Sequence, residues 1–333
     1  MTAPRYRLVD PSITPFYHVM SRCVRQQFLC GFDRRLGRDF SHRRDWIERR
    51  IKLLSSVFAI EVYAFAVMSN HFHIVVKINE DAPNRWHDRD IVDRWRKAFG
   101  GSNVVKRYAK GELLTVEELL GLRPVIDEYR KRLSSLSWFM RALNEPIARM
   151  ANAEDDAKGR FWEGRFKSQA LLTEASVLSA MAYVDLNPVR AGIANTPEES
   201  EFTSIKERIH QAVDTAVARK SPEKQVLGPV AGYTAAQKKM GISRCSLAAY
   251  LQLVDWTGRH LRPDRIGAIP PDLPPILERL GIKPDGYLDY IRHKEKGFRT
   301  AIGPSKALKI AAEKFNLSQL WGTQAGKRLF SSG

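Results

Sequence analysis

His71 and His73 stand one residue apart in "VMSNHFHIVVKI", Val67 to Ile78, a run whose other residues read as buried strand. On a strand, positions i and i+2 project from the same face, with Cα atoms about 7 Å apart. The two imidazoles therefore share a face, while Phe72 and Ile74 take the other. Rings so placed can each lend one nitrogen to a single cation, but two histidines do not complete a site. A third ligand must come from another element. Packed histidines, or polar groups on a solvated sheet face, account for a bare His-x-His as well. Farther along, Glu145, Arg149 and Asn152 recur at spacings of four and three and share one helix face. Glu145 or Asn152 can supply an oxygen ligand; the alternative is a solvated face carrying a Glu145–Arg149 ion pair. His18, on an earlier strand-like run, is a further neighbour or a packed residue.

A second cluster suits nucleic acid. "GRFWEGRFKS" interleaves Arg160, Arg165 and Lys167 with Phe161, Trp162 and Phe166. Cations hold phosphates while aromatic faces stack unpaired bases, a combination fitted to single strands or hairpin tips. Trp162 and Phe166 equally suit anchoring the loop in a core. In "DLNPVRAG", Asn187 and Pro188 set a turn, and Arg190 is placed for a phosphate or guanine contact. The whole chain agrees in sign: 54 Lys and Arg against 37 Asp and Glu give a formal charge of +17. Such a surplus favours polyanion partners, because each neutralised phosphate releases condensed counterions.

The elements that must position these groups follow from periodicity. "FYHVMSRCV" alternates as a strand, and "SHRRDWIERRIKLLSSVFAI" carries Trp46, Ile47, Ile51, Leu54 and Phe58 at helical spacing, with Ser41 as its cap. "EVYAFAVMS" and "HFHIVVKI" form a hairpin around Ser69 and Asn70. This β-α-β-β order predicts an α+β protein, a ferredoxin-like antiparallel sheet with helices on one face. A polar helical insertion spans about residues 81–135. Pro124 opens a long helical pattern, which Pro146 should split near Glu145. A helix ending at Pro188 follows the basic loop. Residues 1–200 read as one domain, 201–226 with "ARKSPEKQ" as a linker, and 227–333 as a helical accessory region with basic patches such as "AAQKKMGI" and "LWGTQAGKRLF".

No apolar run approaches the length of about 18 residues that a membrane span requires, and the first residues lack a signal-peptide core. Cys23, Cys30 and Cys245 form no CxxC pair or disulfide framework. A cytoplasmic protein without membrane partners is the expectation.

Four separated blocks, "YHVMSRCV", "FAVMSNHFHIVV", "GRFWEGRFKS" and "AYVDLNPVRAGI", resemble in order and rough spacing the single-tyrosine HUH transposases. More narrowly they are similar to the REP-associated tyrosine transposases and their longer relatives. The resemblance covers about residues 15–200, and the C-terminal third resembles only longer members. It implies the HUH endonuclease fold and a transposase that cleaves and transfers single-stranded, hairpin or repeat-like DNA. In that family the His pair binds Mg²⁺ or Mn²⁺, which orients the scissile phosphate. A helix tyrosine attacks, leaving a 5′-phosphotyrosine and a free 3′-OH, so the covalent link preserves the energy for rejoining. Carried over, His71 and His73 are the metal ligands. All-imidazole sites suit Zn or Mn better than Mg, so an oxygen ligand, Glu145 or Asn152, is expected from the later helix.

The resemblance places the nucleophile on the helix before the tryptophan loop, a few residues ahead of Asn152. That region reads "MRALNEPIARMAN" and holds no tyrosine; Ile147 or a neighbour occupies the position. Tyr183 and Tyr129 are the remaining candidates, Tyr183 matching a family tyrosine with a packing or DNA-positioning role. Three readings stay open: an active transposase or nickase, a domesticated DNA-binding protein that no longer cleaves, and a metal- and water-dependent nuclease. Family members act as monomers or homodimers, and nothing in the sequence chooses.

Overall fold

Alternating apolar residues build the sheet where the sequence places it. In the computed structural model, which describes residues 8–24, 29–34, 37–218, 227, 245–261, 277–278, 280–293 and 298–331, the first strand β1 is Phe16–Arg22. A two-residue ribbon follows, β2 (Phe32–Asp33) with β3 (Arg38–Asp39), and then helix α1 (Arg43–Val57). The hairpin is β4 (Ile60–Val67) and β5 (His71–Ile78). Helices α2 (Asp88–Phe99), α3 (Asn103–Lys110), α4 (Val116–Arg132) and α5 (Leu136–Glu154) lead to β6 (Lys167–Leu171). Strands β4, β5, β1 and β6 lie side by side in that order, each pair antiparallel. This is the strand order of a ferredoxin-like α+β sheet, with β1 in the middle between the hairpin and the last strand.

The helices do not all lie on one face. Ser21, which faces with Phe72, receives a hydrogen bond from Asn144 of α5 at 2.9 Å, so α5 lies on the face opposite His71 and His73. There α5 packs with α1, whose Ile47, Ile51 and Leu54 are buried. The histidine face is covered by α6 (Glu174–Asp185), which packs on β4, β5 and β6 and is buried from Ala175 to Asp185. Its start is capped by Thr173, whose side chain accepts from the Ser176 amide. A short helix α7 (Asn187–Arg190) follows directly, with Pro188 in its first turn where a missing N–H costs nothing.

Proline and capping expectations are corrected locally. Pro146 lies inside α5 without splitting it. The carbonyl it leaves without an intrahelical donor, Ala142 O, instead accepts from Arg50 Nε at 2.9 Å. Pro124 likewise lies inside α4, which begins earlier at a capping box made by Thr115 and Glu118. The break comes between Arg132 and Leu136. Ser41 does not cap α1, because its hydroxyl is bonded to Asp39 at 2.7 Å and His42 holds the cap position.

The expected linker is also corrected. Residues Ser204–Ala218 form helix α8, and the turn before it closes the exposed edge of β4. Thr203 bridges to Ala66, and the Ser204 hydroxyl accepts from the Phe65 amide at 2.9 Å. An edge so covered offers no template for foreign strands. Most of "ARKSPEKQ" and all of "AAQKKMGI" lie outside the described residues. The described C-terminal part is not a separate helical unit. Helices α9 (Leu247–His260) and α10 (Pro284–His293) pack on α6. Strand β7 (Ala301–Ile302) pairs parallel with β6 as a fifth strand, followed by α11 (Ser305–Lys314) and α12 (Thr323–Leu329). Tyr250, Tyr287 and Ile302 join the same continuous core as the N-terminal strands. No helix among the described residues is long and apolar enough to cross a membrane.

Candidate functional site

Strand register assembles a cluster that His71 and His73 only begin. Both project from β5 onto the α6 face, with ring centroids 4.7 Å apart and planes nearly perpendicular. On β1 the residues sharing that face are Phe16, His18, Met20 and Arg22, because Met20 pairs with His73 and Arg22 with His71. His18 consequently stacks on His73, centroids 5.0 Å apart, with its Nε2 3.0 Å from His73 Nδ1. Across β1, Gln169 of β6 pairs with His18 and its Oε1 lies 3.2 Å from His18 Nδ1. Gln169 Nε2 in turn donates to the Phe298 carbonyl at 2.8 Å, which brings the C-terminal segment to the site.

His71 is held in one form. Its Nδ1 is 2.6 Å from Asn70 Oδ1, an oxygen that can only accept, so the ring proton sits on Nδ1 and the lone pair on Nε2. Burial, reinforced by the Arg22 and Arg190 guanidinium groups, pushes its pKa down to about 4. A neutral imidazole with a free Nε2 lone pair is what a divalent cation requires of a histidine ligand. Among the described residues no group of three His, Cys, Asp or Glu is arranged to hold a metal. Among the described residues the pair by itself would offer fewer donors than a closed structural site requires.

Tyr183 projects from α6 onto these rings. Its centroid lies 5.7 Å from that of His73 and 6.2 Å from that of His18, edge-on to both. Arg190, one turn past the end of α6, lies over the tyrosine ring at 4.7 Å and donates to the Tyr183 hydroxyl at 2.9 Å. The same guanidinium donates to Asn187 Oδ1 at 2.7 Å. Beside this constellation opens a cavity of about 360 Å³ lined by His18, His73, Tyr183 and the cations Arg22, Lys167 and Arg299. Arg299 also lies 4.8 Å over the ring of Trp321, which is largely exposed. A cation stacked on an exposed indole at the cavity's rim adds a surface for a base or a phosphate.

Other residues singled out from sequence lie elsewhere. Tyr129 stacks on Trp95 at 4.3 Å within the α2–α4 insertion. Glu145 and Asn152 belong to α5, with the sheet between them and the histidines; neither is placed to ligate with them. Glu145 pairs with Arg141 and Arg149, and Asn152 donates to Gly159 O. The missing tyrosine of α5 loses its importance for the same reason, since that helix does not face the His pair. Trp162 is buried, donating Nε1–H to Asn144 O and packing edge-on against Phe72, so it anchors the loop. Phe166 is buried with it, while Arg160, Arg165 and Lys167 are exposed. Asn187 is buried, and Arg190 is turned inward to the tyrosine. Arg22, Gln169, Phe298 and Arg299 were not found from sequence. Strand parity on β1 and β6 holds the signal for the first two, but it becomes legible only once the pairing is known.

No family model matches the sequence, and no curated protein matches it. Among solved structures the chain is similar to a REP-associated tyrosine transposase bound to a REP hairpin, at 11% identity and a TM-score of 0.38, over 71% of this chain and 96% of that one.

Proposed function

We propose that the chain binds single-stranded or hairpin DNA and cleaves and rejoins it through Tyr183, with a divalent cation held by His71 and His73. One observation carries this reading. Tyr183, His73 of the His pair and three cations line one cavity, on the face of the sheet that α5 does not reach. Arg22, Lys167 and Arg299 hold the strand by its phosphates. The Tyr183 oxygen attacks the scissile phosphorus and loses its proton. The bond to the 3′ oxygen breaks, that oxygen takes up a proton, and a 5′-phosphotyrosine and a 3′-OH result. Arg190 offsets negative charge on the phenol oxygen when that oxygen becomes the leaving group in rejoining. A divalent cation, Mn²⁺ or Mg²⁺, would be held by His71 and His73 and would supply charge stabilisation to the phosphate. Exposed Arg160 and Arg165 extend the basic surface beyond the cavity.

A second reading, a binding protein that does not cleave, is favoured by Tyr183 being 1% exposed with its hydroxyl already bonded. End-labelled hairpin DNA incubated with Mn²⁺ separates the readings. The proposal expects a protein–DNA adduct that resists denaturation and disappears in Tyr183→Phe. Binding without product supports the second reading, and cut DNA without adduct supports water-dependent hydrolysis.

A further inference from the structure

Six of the seven tryptophans are buried or half-buried, and one is not. Trp321 is 62% exposed, although an indole is a large apolar surface to leave in water. Its place is nonetheless fixed. Leu320 before it is buried, and Gly322 after it opens α12 at φ 118°, in the left-handed region that suits glycine. Helix α12 is pressed onto the segment after β7, since a Cβ on Gly326 would stand 2.6 Å from Gly303 O. The cation on the indole is fixed as well. On either side of Arg299, Phe298 O accepts from Gln169 Nε2 at 2.8 Å and Thr300 O from the Ala170 amide at 2.9 Å, both on β6. Arg299 lies 4.8 Å over the indole and also lines the cavity.

An indole with a guanidinium over its ring and most of its surface in solvent has room for a second flat partner. The neighbouring charges select its kind. The described residues lining the cavity include Arg22, Lys167 and Arg299, and none is Asp or Glu. A partner that carries a flat ring on every anionic unit meets both demands, and nucleic acid with unpaired bases is such a partner.

We propose that Trp321 and Arg299 form a stacking subsite for one unpaired nucleobase of a DNA strand whose phosphates lie in the cavity. It rests on the DNA-binding reading above and adds a selection to it. A paired base within a duplex is already stacked on both faces, so the subsite favours an unpaired nucleotide flanking a hairpin. Every base has a π-face, so little sequence preference is expected from it. The C-terminal region thereby takes part in recognising DNA.

The test measures binding by anisotropy with the full chain in EDTA, so that neither metal nor cleavage enters. The probes are a hairpin with a short single-stranded flank, the same hairpin with the flank paired to a complement, and flanks carrying one abasic position each. Trp321→Ala should weaken binding of the flanked hairpin by roughly 5- to 150-fold and leave its salt slope unchanged. Trp321→Phe should recover part of that loss, and both variants should melt near the wild type. Pairing the flank should erase the difference between wild type and Trp321→Ala. One abasic position should weaken the wild type by a similar factor and the alanine variant little, because the two changes remove one contact. Equal binding of the flanked hairpin by Trp321→Ala and wild type overturns the proposal. So do abasic losses that are the same in both proteins at every position. A loss accompanied by a flatter salt slope also overturns it, since Trp321 would then only hold Arg299 against a phosphate. Wild-type protein that binds none of these probes overturns the DNA-binding reading itself.

Discussion

Arg190→Met isolates what the guanidinium does for Tyr183. The arginine donates to the phenol oxygen at 2.9 Å and to Asn187 Oδ1 at 2.7 Å, and does so from a position over the tyrosine ring. Methionine keeps much of the stem and removes both donors and the charge. A hydrogen bond to a charged partner is worth about 1.5–3 kcal/mol. If it acts on charge that the phenol oxygen carries only in the reaction, the rate falls by roughly 10- to 150-fold. Asn187, 1% exposed, meanwhile loses its partner, which costs about 1–3 kcal/mol of stability. Single-turnover formation of the tyrosine–DNA adduct, measured at saturating hairpin with Mn²⁺, reads the first effect, and thermal melting reads the second. Hairpin affinity should change little, because the guanidinium is turned to the tyrosine and away from solvent. Arg190→Lys should recover only part of the rate, since a point charge cannot reach both oxygens from over the ring. A methionine variant that melts lower but forms adduct at the wild-type rate refutes the reasoning: Arg190 would then be a strut for Asn187 alone.

Three further outcomes follow from the geometry. Lys167→Ala and Arg299→Ala should each weaken hairpin binding across sequences and lower the slope of log affinity against log salt by about 1, read by anisotropy titration at several salt concentrations. Asp185 is wholly buried between the Ser204 and Tyr250 hydroxyls, and burial raises its pKa to about 6 despite those bonds. Its protonated form is thus favoured in the folded state, so its contribution is full below pH 4, lost as pH rises through 6 and flat above. The loss is about 3 kcal/mol, and melting of Asp185→Asn over that range should lack this component. Arg50→Met should destabilise by about 1–3 kcal/mol in denaturant unfolding, because it strips the donor from Ala142 O, which Pro146 has left without one.

Periodicity and punctuation were enough for much of the frame. Alternation alone put His71 and His73 on one face, and the β-α-β-β order with the Ser69–Asn70 hairpin is the first half of the observed sheet. These are local properties: side-chain parity and turn geometry belong to a few neighbouring residues. The same locality misled the reading of Pro146, because the donor that rescues its helix, Arg50, lies 92 residues away. It also misled the search for partners of the histidines. Glu145 and Asn152 share a helix face, but no pattern within α5 says which side of the sheet that helix will occupy.

Only the tertiary structure decided that side. The histidine face is closed by α6, so Tyr183, with Arg190 on its hydroxyl, meets His73, while α5 lies behind the strands on Ser21. Register between β1, β5 and β6 brought His18 and Gln169 into line, and the parallel pairing of β7 brought Phe298 and Arg299 to the cavity. A strand's sequence specifies what it can present, but pairing partners hundreds of atoms apart specify to whom. The histidine pair was thus legible as a pair, and the cluster it belongs to was not, because every other member reaches it through long-range contacts that only the packed sheet creates.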